Sequence, residues 1–357
     1  MSTKNHSADP SRSADYHPHA PRIVFMGTPE FAVASLDALV QAGYSIVGVI
    51  TAPDKPAGRG MQLTESAVKK YAGEKGLRIL QPDRLKNPLF LEELRSLNAD
   101  LQVVVAFRML PEQVWNMPPM GTINLHGSLL PQYRGAAPIN WAVINGERQT
   151  GVTTFKLQHD IDTGNILLQE AFPIGEDETA GEVHDRMKGI GARVLVQTVD
   201  GLVAGTLKEV PQAELPLPET DSSGAGPLHG QQAAAGIPGL KHAPKIFTET
   251  CKIDWNKPAG EVYNLIRGLS PFPAAFTYLD GKLLKIFRAG KEIKNPASTS
   301  VSEPVTQAFP APGQYSTDKK TWLKFACADG IISLEEIQLE GKKKMRTEDF
   351  LRGYKWA

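Results

Sequence analysis

The chain has few of the features that mark secreted, membrane or metal-dependent proteins. Its 357 residues include only two cysteines, Cys251 and Cys327, which are far apart and in no metal-ligand spacing. A disulfide framework or a zinc site therefore has little support. No apolar run approaches the roughly 20 residues that span a bilayer, and residues 1–20 lack the apolar centre of a signal peptide. We expect a metal-free cytoplasmic protein with a disordered extension at residues 1–20.

The chain also lacks a net charge, since its formal charges sum to zero, but these charges are unevenly distributed. Residues 1–244 hold 21 Lys and Arg against 26 Asp and Glu, a net −5, whereas residues 245–357 hold 18 against 13, a net +5. A basic C-terminal part suggests a polyanionic partner such as nucleic acid, although an excess of this size also occurs on ordinary solvated surfaces.

The N-terminal part has the alternation of strands and helices that is typical of a Rossmann-like α/β fold. An apolar strand is predicted at 22–26, a helix at 30–42 and a second strand at 44–51, which together form a βαβ unit. The turn after the first strand contains Gly27 as its only glycine, whereas a dinucleotide site needs three at fixed spacing. The sequence therefore disfavours NAD and predicts a Rossmann-like domain with another ligand.

Residues 21–208 are predicted to form this first domain, and residues 209–247 a linker. Most of the linker stretch is rich in Pro, Gly, Ala and Gln and lacks periodicity. Residues 248–357 then combine one helix with short strands around two Asp-Gly turns, a strong hairpin signal. Repeated hairpins with a helix predict a small β-barrel of the oligonucleotide-binding (OB-like) class.

Three polar side chains form the strongest candidate for a chemical site. Residues 121–126 read as a strand, and because strand side chains alternate, Asn124 and His126 should lie on the same face. An amide can donate to an oxyanion, and an imidazole can exchange a proton near neutrality. The carboxylate of Asp162, in the segment Asp-Thr-Gly, could orient the imidazole or accept a proton. These groups together fit a carbonyl carbon that becomes tetrahedral.

Other interpretations of the same residues remain open at this level. Each of the three side chains could have a purely structural role, in a sheet or in a turn. Asp162-Thr163-Gly164 also matches the signature of aspartic proteases, but that chemistry needs two carboxylates and no second such triplet occurs.

Five segments give the chain a more specific resemblance. They are FMGTPEFA, PDKPAGRG, INLHGSLLPQYRGAAP, DIDTG and GKKKM, and they extend from about Arg22 to near the C-terminus. With these motifs the chain resembles the methionyl-tRNA formyltransferases, which belong to the folate-dependent formyltransferase superfamily. The resemblance implies formyl transfer from 10-formyltetrahydrofolate to methionyl-initiator tRNA, in support of translation initiation and without a metal. We expect a monomer with no membrane partner.

The resemblance also implies roles for individual residues. It gives the catalytic roles to Asn124, His126 and Asp162. The implied folate-binding residues are Ser128, Leu129, Leu130 and Pro131. The implied tRNA-binding residues are Lys55, Arg59, Lys342, Lys343 and Lys344. The two groups of tRNA residues could also be a flexible loop and a solvated turn, respectively.

Some features lie outside the family pattern, and two rival functions share parts of it. His159 and Asp160 precede Asp162 where many members have apolar residues or glycine, and Asp160 has no assigned role. One rival is a formyltransferase that acts on a sugar nucleotide or a purine precursor, or an enzyme that hydrolyses the folate. The other is an inactive RNA-binding protein with the same fold. The basic C-terminal part argues against the first rival, and the intact catalytic set against the second.

Overall fold

The computed structural model describes residues 20–57, 62–215, 239–293 and 310–356. The predicted extension at residues 1–20 lies almost wholly outside this range, as do Arg59 and the middle of the predicted linker. In the described residues the chain forms an α/β part and a second part built on an antiparallel sheet, which agrees with the predicted fold class.

The strands, in chain order, are β1 (Arg22–Gly27), β2 (Ser45–Ile50), β3 (Lys55–Ala57), β4 (Gln62–Thr64), β5 (Ile79–Leu80), β6 (Leu101–Val105), β7 (Thr122–His126), β8 (Arg134–Gly135), β9 (Gln149–Lys156), β10 (Ile166–Pro173), β11 (His242–Ala243), β12 (Ala275–Leu279), β13 (Lys282–Ile293), β14 (Tyr315–Thr317), β15 (Leu323–Ala326), β16 (Gly330–Leu339) and β17 (Met345–Arg346). The helices are α1 (Glu30–Gln41), α2 (Ala67–Glu74), α3 (Pro88–Ser96), α4 (Glu112–Trp115), α5 (Pro138–Ile144), α6 (Ala180–Val203), α7 (Thr248–Cys251), α8 (Ala259–Gly268) and α9 (Thr347–Gly353).

Seven strands form the larger sheet in the order β10-β9-β7-β6-β1-β2-β5. The pairs from β7 to β5 are parallel, as the βαβ pattern predicts. Strands β1, β6 and β7 are almost completely buried. Strand β9 instead runs antiparallel to β7. The sheet is therefore mixed, with parallel pairs from β7 to β5 and an antiparallel pair between β7 and β9.

Strand β7, which carries Asn124 and His126, lies inside this sheet, between β6 and β9. Its apolar side chains Ile123 and Leu125 are buried, so the strand is fixed from the face opposite Asn124 and His126. Residue pairing with β9 places Asn124 opposite Phe155 and His126 opposite Thr153. The sheet thus holds the two polar side chains on one face with little freedom.

The segment Thr179-Ala180-Gly181-Glu182 has the sequence pattern of a capping box, and one is present at the start of α6, the longest of the described helices. The Thr179 backbone N–H donates to the Glu182 carboxylate at 2.8 Å, and the Glu182 N–H donates to the Thr179 hydroxyl at 3.3 Å. This reciprocal pair satisfies backbone donors that the first turn of a helix leaves free.

The C-terminal sheet has the order β12-β13-β16-β15-β14, with β17 paired to β16. The β12–β13 turn consists of Asp280 and Gly281, whose φ angles are 47° and 77°, as a two-residue turn between antiparallel strands requires. Register shifts near Arg288 bend β13 where it pairs with β16. The described strands form a curled half-barrel.

The chain divides into two compact units. The first contains the described residues up to 126 together with 152–170 and 188–215, and the second contains 127–151, 171–187 and the described residues after 238. Among the described helices, none has both the length and the apolar content needed to cross a membrane.

Candidate active site

The first unit brings together the three side chains that the sequence marks as catalytic. Nδ1 of His126 lies 3.9 Å from Oδ2 of Asp162, and the two side chains are only 8% and 11% exposed. Asn124 is half-buried and two residues before His126 on β7. Within the described part of the chain, its side-chain amide makes no hydrogen bond to protein. The amide donors of Asn124 are therefore available to a ligand.

The backbone around Asp162 has a demanding geometry. Asp162 has a φ of 55°, in the left-handed region that costs most non-glycine residues of the order of 1–2 kcal/mol. Two residues later, a Cβ atom on Gly164 would lie 1.6 Å from the Lys156 carbonyl oxygen. Only glycine fits there, because the loop folds directly back onto the end of β9. The Asp-Thr-Gly triplet is thus a shaped turn as well as the source of a carboxylate.

The Gln212 side chain holds this turn in place, and no sequence pattern indicates that role. Its Nε2 atom donates to the Asp162 carbonyl at 2.8 Å and to the Gly164 carbonyl at 2.9 Å, and the side chain is 4% exposed. The residue begins a short 3-10 helix, Gln212–Glu214, inside the stretch predicted as linker. A polar residue after proline in a segment without periodicity has no local signal for such a role, since its partners are about 50 residues earlier.

The residues just before Gln212 hold the ends of the same loop. Val210 and Ile166 exchange backbone hydrogen bonds of 2.8 and 2.9 Å. Glu209 pairs with the Lys156 ammonium at 2.5 Å and accepts from Asn165 at 3.2 Å. These two donors, Lys156 foremost, hold the pKa of Glu209 below its usual value. We call Glu209, Val210 and Gln212 together the Asp162-loop lock.

The residues of the implied folate loop follow His126 directly, in the second unit. Ser128, Leu130 and Pro131 are buried, whereas Leu129 is partly exposed. The Ser128 hydroxyl donates to the Gln132 carbonyl at 2.7 Å, so it closes the turn. Among these four side chains, Leu129 offers the accessible apolar surface, and the other three shape the loop.

A second fastening holds the chain immediately after that loop. Tyr133, with a φ of 58°, donates its backbone N–H to the Lys241 carbonyl at 2.7 Å, and its hydroxyl to the Glu147 carboxylate at 2.5 Å. Lys241 also pairs with Glu147 at 2.5 Å. Burial, with the neighbouring Glu147 carboxylate, raises the pKa of Tyr133 well above its usual value. We call Tyr133, Glu147 and Lys241 the tyrosine lock.

Lys55 lies on a short hairpin that the sequence presents only as a long loop. It begins β3, which pairs antiparallel with β4, and its side chain is exposed. At the base of the hairpin, the Lys69 ammonium and the Gln81 amide donate to the Asp54 carboxylate and hold its pKa below its usual value. Arg59 lies outside the described residues, so its predicted role stays a prediction.

A cavity of about 460 Å³ adjoins Lys55 in the first unit. Its walls include the Arg108 guanidinium and the Phe107 ring, which follow β6 and were not marked by the sequence. Arg108 is held by hydrogen bonds to the carbonyls of Pro82 and Asp83. The cavity is therefore lined by cations, by the carboxylates of Asp54 and Asp83 and by an aromatic surface, at the carboxyl end of the parallel strands.

The three lysines near the C-terminus lie between β16 and β17 and are all exposed. Lys344 is already engaged, since its ammonium pairs with Glu336 at 2.6 Å and lies 4.8 Å from the centre of the Phe287 ring. Lys342 and Lys343 form no ion pair with other described residues. Of the three lysines predicted to contact phosphates here, Lys342 and Lys343 therefore have ammonium groups that are free to bind a polyanion.

The two residues that depart from the family pattern make their contacts with residues other than His126 and Asp162. The His159 imidazole is 3.5 Å from the Glu112 carboxylate and packs edge-on against the Trp115 ring. Asp160 accepts a hydrogen bond from Thr163 through its backbone carbonyl at 3.0 Å. Its carboxylate acquires no role from these contacts.

The combination of Asn124, His126 and Asp162 suits acyl transfer. A free amide and an imidazole can stabilise negative charge on a carbonyl oxygen, and a nearby carboxylate can receive a proton from the attacking group. Among the described residues, no cluster of His, Cys, Asp and Glu could hold a metal ion.

Two family models match the chain. The model "Formyl transferase" matches residues 21–199, and the model "Formyl transferase, C-terminal domain" matches residues 245–355. Both the α/β part and the half-barrel are therefore recognised in the order expected.

Curated relatives match almost the full chain. The methionyl-tRNA formyltransferase of Parabacteroides distasonis is 52% identical over 340 residues, which are 94% of this chain and 96% of the relative. That of Bacteroides fragilis is 48% identical over 338 residues, with 93% and 95% coverage.

Solved structures with the same fold are more distant. A Helicobacter canadensis N-formyltransferase, in complex with folinic acid and dTDP-3-aminofucose, has a TM-score of 0.60, 17% identity and coverage of 91% of this chain and 100% of that one. HypX from Aquifex aeolicus, in complex with tetrahydrofolic acid, has a TM-score of 0.56, 17% identity and coverage of 93% and 47%. At this identity the likeness concerns the fold.

Proposed function

The chain belongs to the methionyl-tRNA formyltransferase family, and on this premise we propose that it formylates the α-amino group of methionyl-initiator tRNA. The formyl donor is 10-formyltetrahydrofolate, and the product supports translation initiation. The observation that carries the proposed chemistry is the uncommitted Asn124 amide beside an imidazole that faces a buried carboxylate.

In the reaction that we propose, the neutral methionyl amine attacks the formyl carbon, and the new C–N bond replaces the bond between that carbon and N10 of the folate. Asn124 and His126 donate hydrogen bonds to the carbonyl oxygen as it gains negative charge. Loss of one such donor typically raises a barrier by about 2.7–4 kcal/mol. Asp162 orients His126 and accepts the proton that the amine loses, directly or through water, and a proton reaches N10 as it leaves.

We assign the folate-binding role to the loop of Ser128, Leu129, Leu130 and Pro131. Three of these side chains are buried and set the path of the backbone, so Leu129 and the backbone groups are the surface that the folate would contact. The three buried side chains support a folate-binding slot whose shape is set before the folate binds. Such a preformed slot lowers the entropic cost of binding.

We assign tRNA contacts to Lys55, Arg59, Lys342, Lys343 and Lys344. The exposed position of Lys55 and the free ammonium groups of Lys342 and Lys343 support phosphate contacts. Lys344 would have to exchange its ion pair with Glu336 for a phosphate, so its contribution should be smaller.

We also propose the finer organisation of the protein. The domain division is 21–208 for catalysis, 209–247 for the linker and 248–357 for the tRNA-binding domain. The three catalytic side chains come from one chain, which supports a monomer, and a charged tRNA substrate supports a cytoplasmic location without a membrane partner.

The test is a formylation assay with 10-formyltetrahydrofolate and four acceptors: methionyl-initiator tRNA, methionyl-elongator tRNA, free methionine and an amino-sugar nucleotide. Formyl transfer to the initiator species well above the other three is expected. Preference for the amino-sugar nucleotide would favour the sugar-modifying rival instead. Asn124→Ala serves as the control for chemistry, with a loss of rate of the order of 100- to 1000-fold.

A further inference from the structure

The geometry points to Gln212 as a positioning residue for the Asp162 carboxylate. This inference rests on the proposed role of Asp162 as proton acceptor, and it adds a residue from outside the recognised motifs. Gln212 touches neither the proposed substrates nor the reacting atoms. It acts on the turn that presents the carboxylate to His126.

The Gln212 side chain contacts the backbone at Asp162 and again two residues later. One amide nitrogen spans the carbonyl oxygens of Asp162 and Gly164, at 2.8 and 2.9 Å. A single NH₂ group has two N–H bonds, so both can be used on these two acceptors. Two carbonyls two residues apart then point towards one donor, which fixes the peptide plane after Asp162 and the peptide plane after Gly164.

The turn needs this fixing because its backbone is unusual. Asp162 has a φ of 55°, and the hydrogen bonds between Val210 and Ile166 hold the end of the loop beyond the turn. The Gln212 side chain, 4% exposed, reaches the turn itself. Without its N–H groups, two carbonyls would lose these donors, and the turn would relax towards more common backbone angles.

A neutral amide is also the suitable group for this position. A lysine or arginine there could donate to the same carbonyls, but its charge would stabilise the ionised carboxylate of Asp162 and weaken it as a proton acceptor. Glutamine holds the backbone without that effect. The choice of residue thus matches a role in positioning a base.

The experiment compares Gln212→Met with Gln102→Met in the full-length protein. Methionine keeps the length of the glutamine side chain and removes its donors. Gln102 is a matched control, because it is 1% exposed, lies in the same unit, and accepts a hydrogen bond from Thr122 at the start of β7, the end away from His126. Thermal unfolding of both variants separates folding from catalysis.

We expect Gln212→Met to lower kcat by about 10- to 100-fold, the size of effect that a displaced catalytic group produces, while the KM for both substrates changes less than about threefold. Gln102→Met should leave kcat within about twofold of wild type. Equal kcat losses in the two variants, or a loss confined to KM, would overturn the inference.

A double-mutant cycle with Asp162→Asn gives the second readout. If Gln212 acts through the Asp162 carboxylate, Gln212→Met should lower kcat by less than about twofold when Asp162 is already asparagine. A full additional loss in that background would show a role separate from Asp162. Formylation of methionyl-initiator tRNA by the wild type tests the proposed function independently, so failure of either idea is recognised separately.

Discussion

The Asp162 loop and the loop that carries Ser128 to Gly135 are built alike but fastened differently. Each contains one non-glycine residue in the left-handed region, Asp162 with φ 55° and Tyr133 with φ 58°. Each contains one glycine against a backbone carbonyl, Gly164 near Lys156 and Gly135 near Ala243. In both loops, residues at one end of the predicted linker complete the fastening, 209–212 in one and 241–243 in the other.

The difference lies in the groups that do the fastening. The Asp162-loop lock contacts the turn through a neutral amide and two carbonyls, whereas the tyrosine lock combines a phenol, a carboxylate and an ammonium. The turn that contains Asp162 is thus held by a neutral amide, whereas the Glu209–Lys156 ion pair of the same lock lies at the ends of the loop. The loop with the implied folate-binding residues is held by groups that respond to pH. Loops of similar geometry can therefore be expected to differ in their response to solution conditions.

Among changes to the two loops and their fastenings, the largest effect is expected from Gly164→Ala, which tests the shape of the Asp162 loop. The new Cβ would meet the Lys156 carbonyl at 1.6 Å, so the loop must move, and kcat should fall on the order of 100-fold. Gly189→Ala in α6 is the control, since nothing lies within 4 Å of its Cβ position. Steady-state kinetics check the result, and activity equal to that of the control would show that the loop tolerates displacement.

An intermediate effect is expected from Tyr133→Phe, which breaks the tyrosine lock. Loss of the hydroxyl contact to Glu147 should lower the free energy of unfolding by about 1–3 kcal/mol at neutral pH. Tyr278→Phe is the control, because that ring is 51% exposed, and it should cost less than about 0.5 kcal/mol. Denaturant unfolding measures the loss in the free energy of unfolding for both variants. Similar losses would show that the Tyr133 hydroxyl does not stabilise the tyrosine lock.

The same variant has a defined pH signature. Burial and Glu147 raise the pKa of Tyr133 in the folded chain, whereas the unfolded chain releases this proton near pH 10.0. The stabilising contribution is therefore complete below pH 10 and is lost as pH rises above it. Above pH 10, the free energy of unfolding of the wild type should fall more steeply than that of Tyr133→Phe, by up to about 1.4 kcal/mol per pH unit. Parallel slopes would contradict this account.

The smallest effect is expected from Lys156→Gln, at the edge of the Asp162-loop lock. Its ion pair with Glu209 is partly exposed, so its loss should cost less than about 1 kcal/mol and change kcat less than twofold. Because the pair lowers the pKa of Glu209, its contribution should fade as pH falls through the acid range. Unfolding is measured with and without about 0.5 M salt, which shortens the electrostatic screening length on the order of threefold. The difference gives the contribution of the ion pair to the free energy of unfolding. A tenfold loss of kcat would show that the charged contact also positions Asp162.

Local pattern predicted much of the fold and the inner part of the site. Strand alternation placed Asn124 and His126 on one face, the Thr179 and Glu182 pair marked the start of α6, and Asp280-Gly281 marked a hairpin. Each of these signals involves residues close in sequence, where backbone geometry alone determines which groups meet. The catalytic roles of Asn124, His126 and Asp162 stay predictions, although the structure places His126 and Asp162 within reach of each other.

What the sequence could not predict depends on contacts between distant residues. Gln212 reaches a turn 50 residues earlier, and Lys241 reaches Glu147 across 94 residues. Neither residue lies in a periodic segment, and both fall inside the predicted linker. The antiparallel direction of β9 could not be predicted either, because a buried apolar strand has the same sequence pattern in parallel and antiparallel pairs.

The pairing of β9 with β7 has a consequence for the distance between the His126 imidazole and the Asp162 carboxylate. Thr153 lies opposite His126, and the chain leaves β9 at Lys156 to reach Asp162. A slip of β9 by a single residue would shift the start of that loop by about 3.3 Å and turn every β9 side chain to the other face of the sheet. The distance between the Asp162 carboxylate and the His126 imidazole therefore depends on strand register, which every buried side chain of β9 helps to maintain, and not on these two residues alone.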